Sequence, residues 1–307
     1  MNNTVLELTM VSKQFGHYKA LQDIDLNIHH GDICALIGEN GAGKTTLMRL
    51  ITGLSPMDKG AITLLGENAG SYKHALEHVG AIIESPALFA SLTVFQNLKV
   101  AAIQHGINDV EQITRTIKFV GLDAKTHTKA KHLSLGQKQR LGLAIAVLAQ
   151  PDFLVLDEPI NGLDPMGIVE FRELLKRLNT EFGTTILISS HILTELYQVA
   201  TRFVFLYQGR IIKQISKDEL AALNRGGLLI RTPQVALAAQ ILDTAGYTKM
   251  TVIDDTQLLL MDKDVQTAAL TKLLVEKNIA VDGITLQETS LEQYYTQLIR
   301  SQEVHHD

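Results

Sequence analysis

The chain has 307 residues, 20% of them charged and 46% hydrophobic, with a formal net charge of −5 at pH 7. That length suits two domains of ~100–200 residues each, and the composition is globular rather than disordered. The acidic balance argues against a general nucleic-acid binder, which needs a basic footprint to meet phosphate.

The opening, MNNTVLELTM, lacks a basic region followed by an apolar stretch, so no signal peptide is expected there. Val5-Leu6-Glu7-Leu8 and Ile24-Asp25-Leu26-Asn27-Ile28 alternate with period two and read as antiparallel strands with one wet face. Ile33 to Ile37 is a continuous apolar strand, followed by a glycine-rich turn and a helix over Lys44–Thr52. The single cysteine, Cys34, lies inside that strand and reads as a buried, inert thiol. One cysteine excludes an intrachain disulfide and fits a reducing compartment.

Residues 86–149 read as a mostly helical insert, with apolar residues at helical spacing (Val94, Leu98, Ala101; Ile113, Ile117, Val120) and turns at Gly106 and Gly121. Its most apolar run, Leu141 to Ala149, is well short of the ~20 residues that cross a bilayer, so a soluble chain is expected. Two more apolar strands, Phe153–Leu156 and Thr185–Ser189, complete the pattern of a largely parallel sheet covered by helices. After Gly226-Gly227 the pattern restarts. Strand 228–232, helix 234–244, a hairpin over 249–261, helix 265–276, strand 281–286 and helix 291–300 give the β-α-β-β-α-β order of a small split α/β sandwich. The expected domains are therefore 1–223 and 228–307.

Gly38-Glu39-Asn40-Gly41-Ala42-Gly43-Lys44-Thr45 has the two glycines, lysine and hydroxyl of a phosphate-binding loop. Glycines let the backbone N–H groups turn inward toward phosphate oxygens, and the following helix adds its positive end. Lys44 supplies a point charge for the outer phosphates, and the Thr45 hydroxyl is a hard oxygen ligand suited to Mg²⁺. Phe153-Leu154-Val155-Leu156-Asp157-Glu158 sets two carboxylates at the end of a buried strand, where ligands collect in open parallel sheets. Asp157 is expected to hold Mg²⁺ and Glu158 to polarise the attacking water. These residues by themselves predict an Mg-ATP hydrolase.

Leu133-Ser134-Leu135-Gly136-Gln137-Lys138-Gln139-Arg140 resembles the signature sequence of the ATP-binding-cassette (ABC) ATPases. Asn161-Gly162-Leu163-Asp164-Pro165 resembles the loop after the acidic strand in that family, His191 its switch histidine, and Phe15 the aromatic ring it places against adenine. The resemblance spans about the first 220 residues. It implies the P-loop NTPase α/β fold, with a mostly parallel sheet, an antiparallel β subdomain and an inserted helical subdomain, followed here by the small C-terminal α+β domain. It also implies a head-to-tail dimer of two copies with ATP between them. Each ATP would meet Gly38, Asn40, Gly41, Ala42, Gly43, Lys44, Thr45 and Thr46 of one chain, and Ser134, Gly136, Gln137 and Asp164 at the facing surface. Glu158 and His191 would carry hydrolysis, and the dimer would drive a separate polytopic permease from the inner face of the membrane.

Two positions depart from the usual pattern. Leu135 stands where the signature carries glycine, and Glu84, after the strand ending Ile82-Ile83, stands where the family has a glutamine that reaches the metal. With Ser85-Pro86-Ala87-Leu88-Phe89 following, Glu84 resembles the bacitracin-resistance and lantibiotic-immunity branch of exporters, which implies export of an antimicrobial peptide or similar amphipathic compound. The alternative is a soluble ABC ATPase acting on a ribosome or DNA. It is disfavoured by the single phosphate loop, the absence of sustained heptads and the negative charge. A module using ATP only as a switch would lack Glu158 or His191, and both are present. The C-terminal segment shows no metal-ligand cluster or nucleophile–base arrangement and reads as a structural or regulatory addition, ending in a polar tail with His305 and His306.

Overall fold

The computed structural model describes residues 4–68, 72–223, 227–261, 265–287 and 291–303. Gly226, His305 and His306 lie outside them. The chain divides into two compact units, Met1–Lys217 with Ser301–Asp307, and Asp218–Arg300, so the division falls earlier than the expected 223.

In the first unit the wet-faced strands form a three-stranded antiparallel sheet of β1 (Thr4–Phe15), β2 (Tyr18–His29) and, after β3 (Ile33–Ile37) and α1 (Lys44–Ile51), β4 (Lys59–Leu64), in the order β2-β1-β4. Both long strands alternate as the period-two pattern requires, with Leu6, Leu8, Ile24, Leu26 and Ile28 buried. They pack in one cluster with Leu47, Met48, Leu50 and Ile51 of α1. Burying each such side chain contributes roughly 1.5–3 kcal/mol.

A short α2 (Tyr72–Ala75) leads into β5 (Val79–Ile82). The helical insert follows as α3 (Val94–Gln104), α4 (Val110–Phe119) and α5 (Leu135–Val147). Thr93 and Gln96 close a capping box on α3, and Asp109 caps α4. Gly106 and Gly121 have φ of 68° and 71°, so both expected turns use the left-handed freedom of glycine. The insert is anchored by close backbone approach. A Cβ on Gly80 of β5 would lie 2.3 Å from the Ala146 carbonyl oxygen, and one on Gly142 would lie 2.5 Å from Pro86 Cβ.

Then come β6 (Phe153–Leu156), α6 (Pro165–Phe182), β7 (Thr185–Ser189), α7 (Leu193–Val199), β8 (Arg202–Tyr207), β9 (Arg210–Ser216) and α8 (Lys217–Leu223). The six-stranded sheet runs β5-β6-β7-β3-β8-β9, parallel except for the β8–β9 hairpin at its edge. Every residue of β3, β6 and β7 is buried, which is why those strands read as continuous apolar runs. The β8–β9 hairpin is absent from the elements read off the sequence.

The second unit contains α8 from Asp218 onward, β10 (Gly227–Arg231), α9 (Val235–Thr244), β11 (Met250–Asp254), β12 (Gln257–Leu260), α10 (Thr267–Glu276), β13 (Gly283–Gln287) and most of α11 (Leu291–Glu303). Its sheet is antiparallel throughout, in the order β11-β12-β10-β13. Leu228, Ile230, Leu258 and Leu260 pack with Ala238 and Leu242 of α9 and with Leu270 and Leu274 of α10. Among the described residues no helix is long and apolar enough to cross a membrane.

Candidate functional site

The glycine-rich turn joins the end of β3 to the start of α1 and needs glycine at specific points. Gly41 and Gly43 have φ of 83° and 110°. A Cβ on Gly38 would sit 2.5 Å from the Leu206 carbonyl oxygen of β8, and one on Gly43 would sit 2.7 Å from that of Ala20. The loop is thus pressed between two strands and turns its backbone outward. The Lys44 side chain is buried and donates through Nζ to the carbonyls of Gly38 (2.7 Å) and Glu39 (3.1 Å). The Tyr18 hydroxyl donates to the Gly41 carbonyl at 3.1 Å, pinning the loop from the β1–β2 hairpin.

Facing the loop is the end of β6. Asp157 is buried, and both its oxygens are engaged. Oδ2 accepts from the Thr45 hydroxyl at 2.7 Å, and Oδ1 accepts from the Ser189 hydroxyl at 2.6 Å. The Ser189 oxygen accepts in turn from the Glu158 N–H at 2.9 Å. Glu158 leaves the strand in a left-handed conformation, φ 50°, which a β-carbon makes costly and which aims its carboxylate away from the sheet. Its Oε2 accepts from the His191 N–H at 3.2 Å and lies 2.8 Å from His191 Nδ1. Asn40, Gly41, Gly43, Lys44, Thr45 and Thr46 line one cleft of about 250 Å³ together with Tyr18, Ala20, Asp157 and Glu158.

The structure therefore brings together the phosphate-loop residues, Asp157, Glu158 and His191. Ser134, Gly136, Gln137 and Asp164 are not among the residues lining that cleft. Ser134 caps α5 in a capping box with Gln137, and Asp164 caps α6 by accepting from the Gly167 N–H at 2.7 Å. Leu135 is half exposed and lies beside Gly162, where an added Cβ would come within 2.8 Å of its Cδ2. Gly136 in turn lies near Leu163, so the signature segment and the loop after β6 pack as one surface.

Phe15 ends β1, half exposed, paired in register with Tyr18. Glu84, φ 63°, binds Arg49 of α1, with Oε1 2.6 Å from Nη2. Tyr18 and Ser189 take part in this network, and Arg49 holds Glu84, although no motif marks any of the three. The donor set fits a magnesium nucleotide. A hydroxyl and a buried carboxylate, both hard oxygens, converge at the foot of the loop, and a buried ammonium stands beside glycine backbone that is open on its outer side at Gly41.

The family described as ABC transporter matches residues 21–161. Bacitracin transport ATP-binding protein BcrA of Bacillus licheniformis is 38% identical over 97% of this chain and 98% of its own length. The chain belongs to the ATP-binding subunits of ABC transporters. As an ABC ATPase it binds and hydrolyses ATP. Lantibiotic transport ATP-binding protein SrtF of Streptococcus pyogenes is 40% identical over 70% of this chain and 92% of its own length. The solved structure of an ATP-binding subunit of an ABC transporter superposes with TM-score 0.65 at 30% identity, covering 72% of this chain and 93% of the other. The cbiO1 subunit of Clostridium perfringens, part of the ABC transporter complex cbiONQ, does so with TM-score 0.65 at 25% identity, over 78% and 95%. The BcrA match takes in the C-terminal unit as well as the ATPase unit.

Proposed function

We propose that this subunit drives outward transport of an antimicrobial peptide or similar amphipathic compound through a separate polytopic permease. Two copies would meet head to tail at the inner face of the cell membrane with two ATP molecules between them. The observation that supports the substrate class is similarity to BcrA along almost the whole chain.

In this reading the N–H groups of residues 40–43 and the Lys44 ammonium hold the β- and γ-phosphates, Thr46 assists them, and Phe15 stacks on adenine. Thr45, Asp157 and Glu84 hold Mg²⁺, which when bound neutralises charge on the phosphates. Glu158 accepts the proton of a water that attacks the γ-phosphorus, the bond to the ADP oxygen breaks, and phosphate and ADP are released. His191, its Nδ1 toward Glu158, orients that carboxylate and turns Nε2 outward. Ser134, Gly136, Gln137 and Asp164 face the second copy, where the α5 N-terminus offers its N–H groups to the γ-phosphate of the partner's ATP. Closure on ATP and reopening after hydrolysis would then rock the permease.

The test is co-expression with a candidate polytopic permease. The reading expects co-purification, ATPase stimulation by the permease, and bacitracin or lantibiotic resistance that is lost in Lys44→Ala. A pair that co-purifies and hydrolyses ATP but changes resistance to no antimicrobial peptide would refute the substrate class.

A further inference from the structure

The ring of Phe15 is held by an ion pair between a buried lysine and an exposed aspartate. Lys13, only 8% exposed, places Nζ 5.3 Å from the ring centroid and donates to Asp58 Oδ1 at 3.0 Å. Asp58 Oδ2 accepts from the Gln14 N–H at 2.7 Å, and the Asp58 N–H donates to the Ser12 carbonyl at 3.0 Å. One carboxylate before β4 therefore fixes both the backbone of β1 just ahead of Phe15 and the cation against its ring. On the other side, Tyr18 pairs with Phe15 and reaches the phosphate loop through Gly41. Phe15 is thus tied to Asp58 through Lys13 and to the phosphate loop through Tyr18. A lysine this buried needs its carboxylate partner, because an unpaired charge there is costly.

We propose that Asp58 and Lys13 are positioning residues for nucleotide, acting through Phe15: Asp58 sets the Lys13 ammonium on one face of the ring and so presents the other face to the purine. This rests on the reading of Phe15 as the adenine seat. A cation against an aromatic face fixes the ring's orientation, and stacking on a fixed ring loses less conformational freedom when the base arrives. The pair touches the base side only, and the phosphate contacts are made elsewhere.

The experiment compares ATP with inorganic tripolyphosphate, which carries the charge of the phosphate chain and no base. In the full-length protein, Phe15→Ala should raise the KM for ATP by roughly ten-fold or more, the usual worth of one base–aromatic stack. Asp58→Asn should raise it about 3- to 10-fold by loosening the same ring, with kcat at saturating ATP unchanged and competition by tripolyphosphate unchanged. Lys13→Met should match Asp58→Asn, and Lys13→Arg should restore affinity. Asp58→Asn combined with Phe15→Ala should lose no more than Phe15→Ala alone. If Phe15→Ala weakens ATP and Asp58→Asn does not, the positioning role is wrong. If Asp58→Asn weakens ATP and tripolyphosphate alike, or moves only the unfolding midpoint, Asp58 is structural and the inference fails. If Phe15→Ala leaves ATP unaltered, the adenine seat itself is wrong, and the inference falls with it.

Discussion

His191 Nδ1 lies 2.8 Å from Glu158 Oε2, and the His191 backbone N–H donates to the same oxygen at 3.2 Å. Two contacts on one oxygen fix the direction of a carboxylate that would otherwise rotate, and leave its second oxygen to face the cleft. His191→Ala keeps the backbone contact and loses the ring. Turnover should fall roughly 10- to 1000-fold, at or below the usual worth of a positioned acid–base group, while ATP affinity stays within a few-fold. Steady-state hydrolysis alongside calorimetric titration with ATP separates the two quantities.

The Arg49–Glu84 contact joins the helix after the phosphate loop to the segment after β5. Both side chains are about half exposed, so the pair contributes ~0–1 kcal/mol to stability. Glu84→Gln keeps the shape and removes the charge. It should leave nucleotide binding within a few-fold, shift the Mg²⁺ dependence, and alter hydrolysis only modestly, since a metal ion held there would dominate the local field. Arg49→Gln should reproduce the Mg²⁺ shift in the opposite direction by freeing the carboxylate. Glu84→Ala should damage permease-stimulated turnover more than basal turnover. Mg²⁺ titrations with and without the permease check all three. Wild-type behaviour of every variant would make Glu84 a plain strand end.

Burial pushes the Cys34 thiol from its ordinary 9.0 up to about 12, with Asp32 adding to the rise and Arg202 opposing it. The unfolded chain releases this proton as pH rises through 9, whereas the folded chain holds it to about 12. The thiol's contribution to stability is therefore complete below pH 9 and is lost progressively between the two values. Alkylation at pH 8 should be slow in the native protein and fast in denaturant, as mass spectrometry would show. Rapid native labelling would contradict burial in β3.

Local features were legible in the sequence. The glycine spacing of residues 38–43 is a conformational requirement of the loop itself, and the apolar runs of β3, β6 and β7 follow from burial on both faces. The β-α-β-β-α-β order of residues 227–287 was readable from periodicity together with the turn signals Gly226-Gly227 and Asp254-Asp255. What escaped depends on strand order. Ser189 meets Asp157 across 32 residues because β6 lies beside β7. A serine at a strand end carries no mark of that neighbourhood. Arg49 reads as one more polar residue on an amphipathic helix until β5 brings Glu84 to it. The β8–β9 hairpin, which closes on Gly38 and Gly43 from behind, carries no motif of its own.

Deleting residues from 228 onward should leave ATP binding intact, because every residue of the cleft belongs to the first unit. Titration of the soluble truncated chain with ATP checks this. A folded truncation that fails to bind would contradict the division of labour.

Hydrolysis by Glu158 within an ATP-bound pair is the centre of the account, and Glu158→Gln measures it most directly. The amide keeps the shape of the side chain and can still meet His191, but it cannot take a proton from water. ATP affinity should be retained, single-turnover hydrolysis should slow roughly 10²–10⁴-fold, and a dimer should accumulate with ATP on size exclusion. Near-normal hydrolysis, with no dimer at saturating ATP, would contradict both the base and the sandwich.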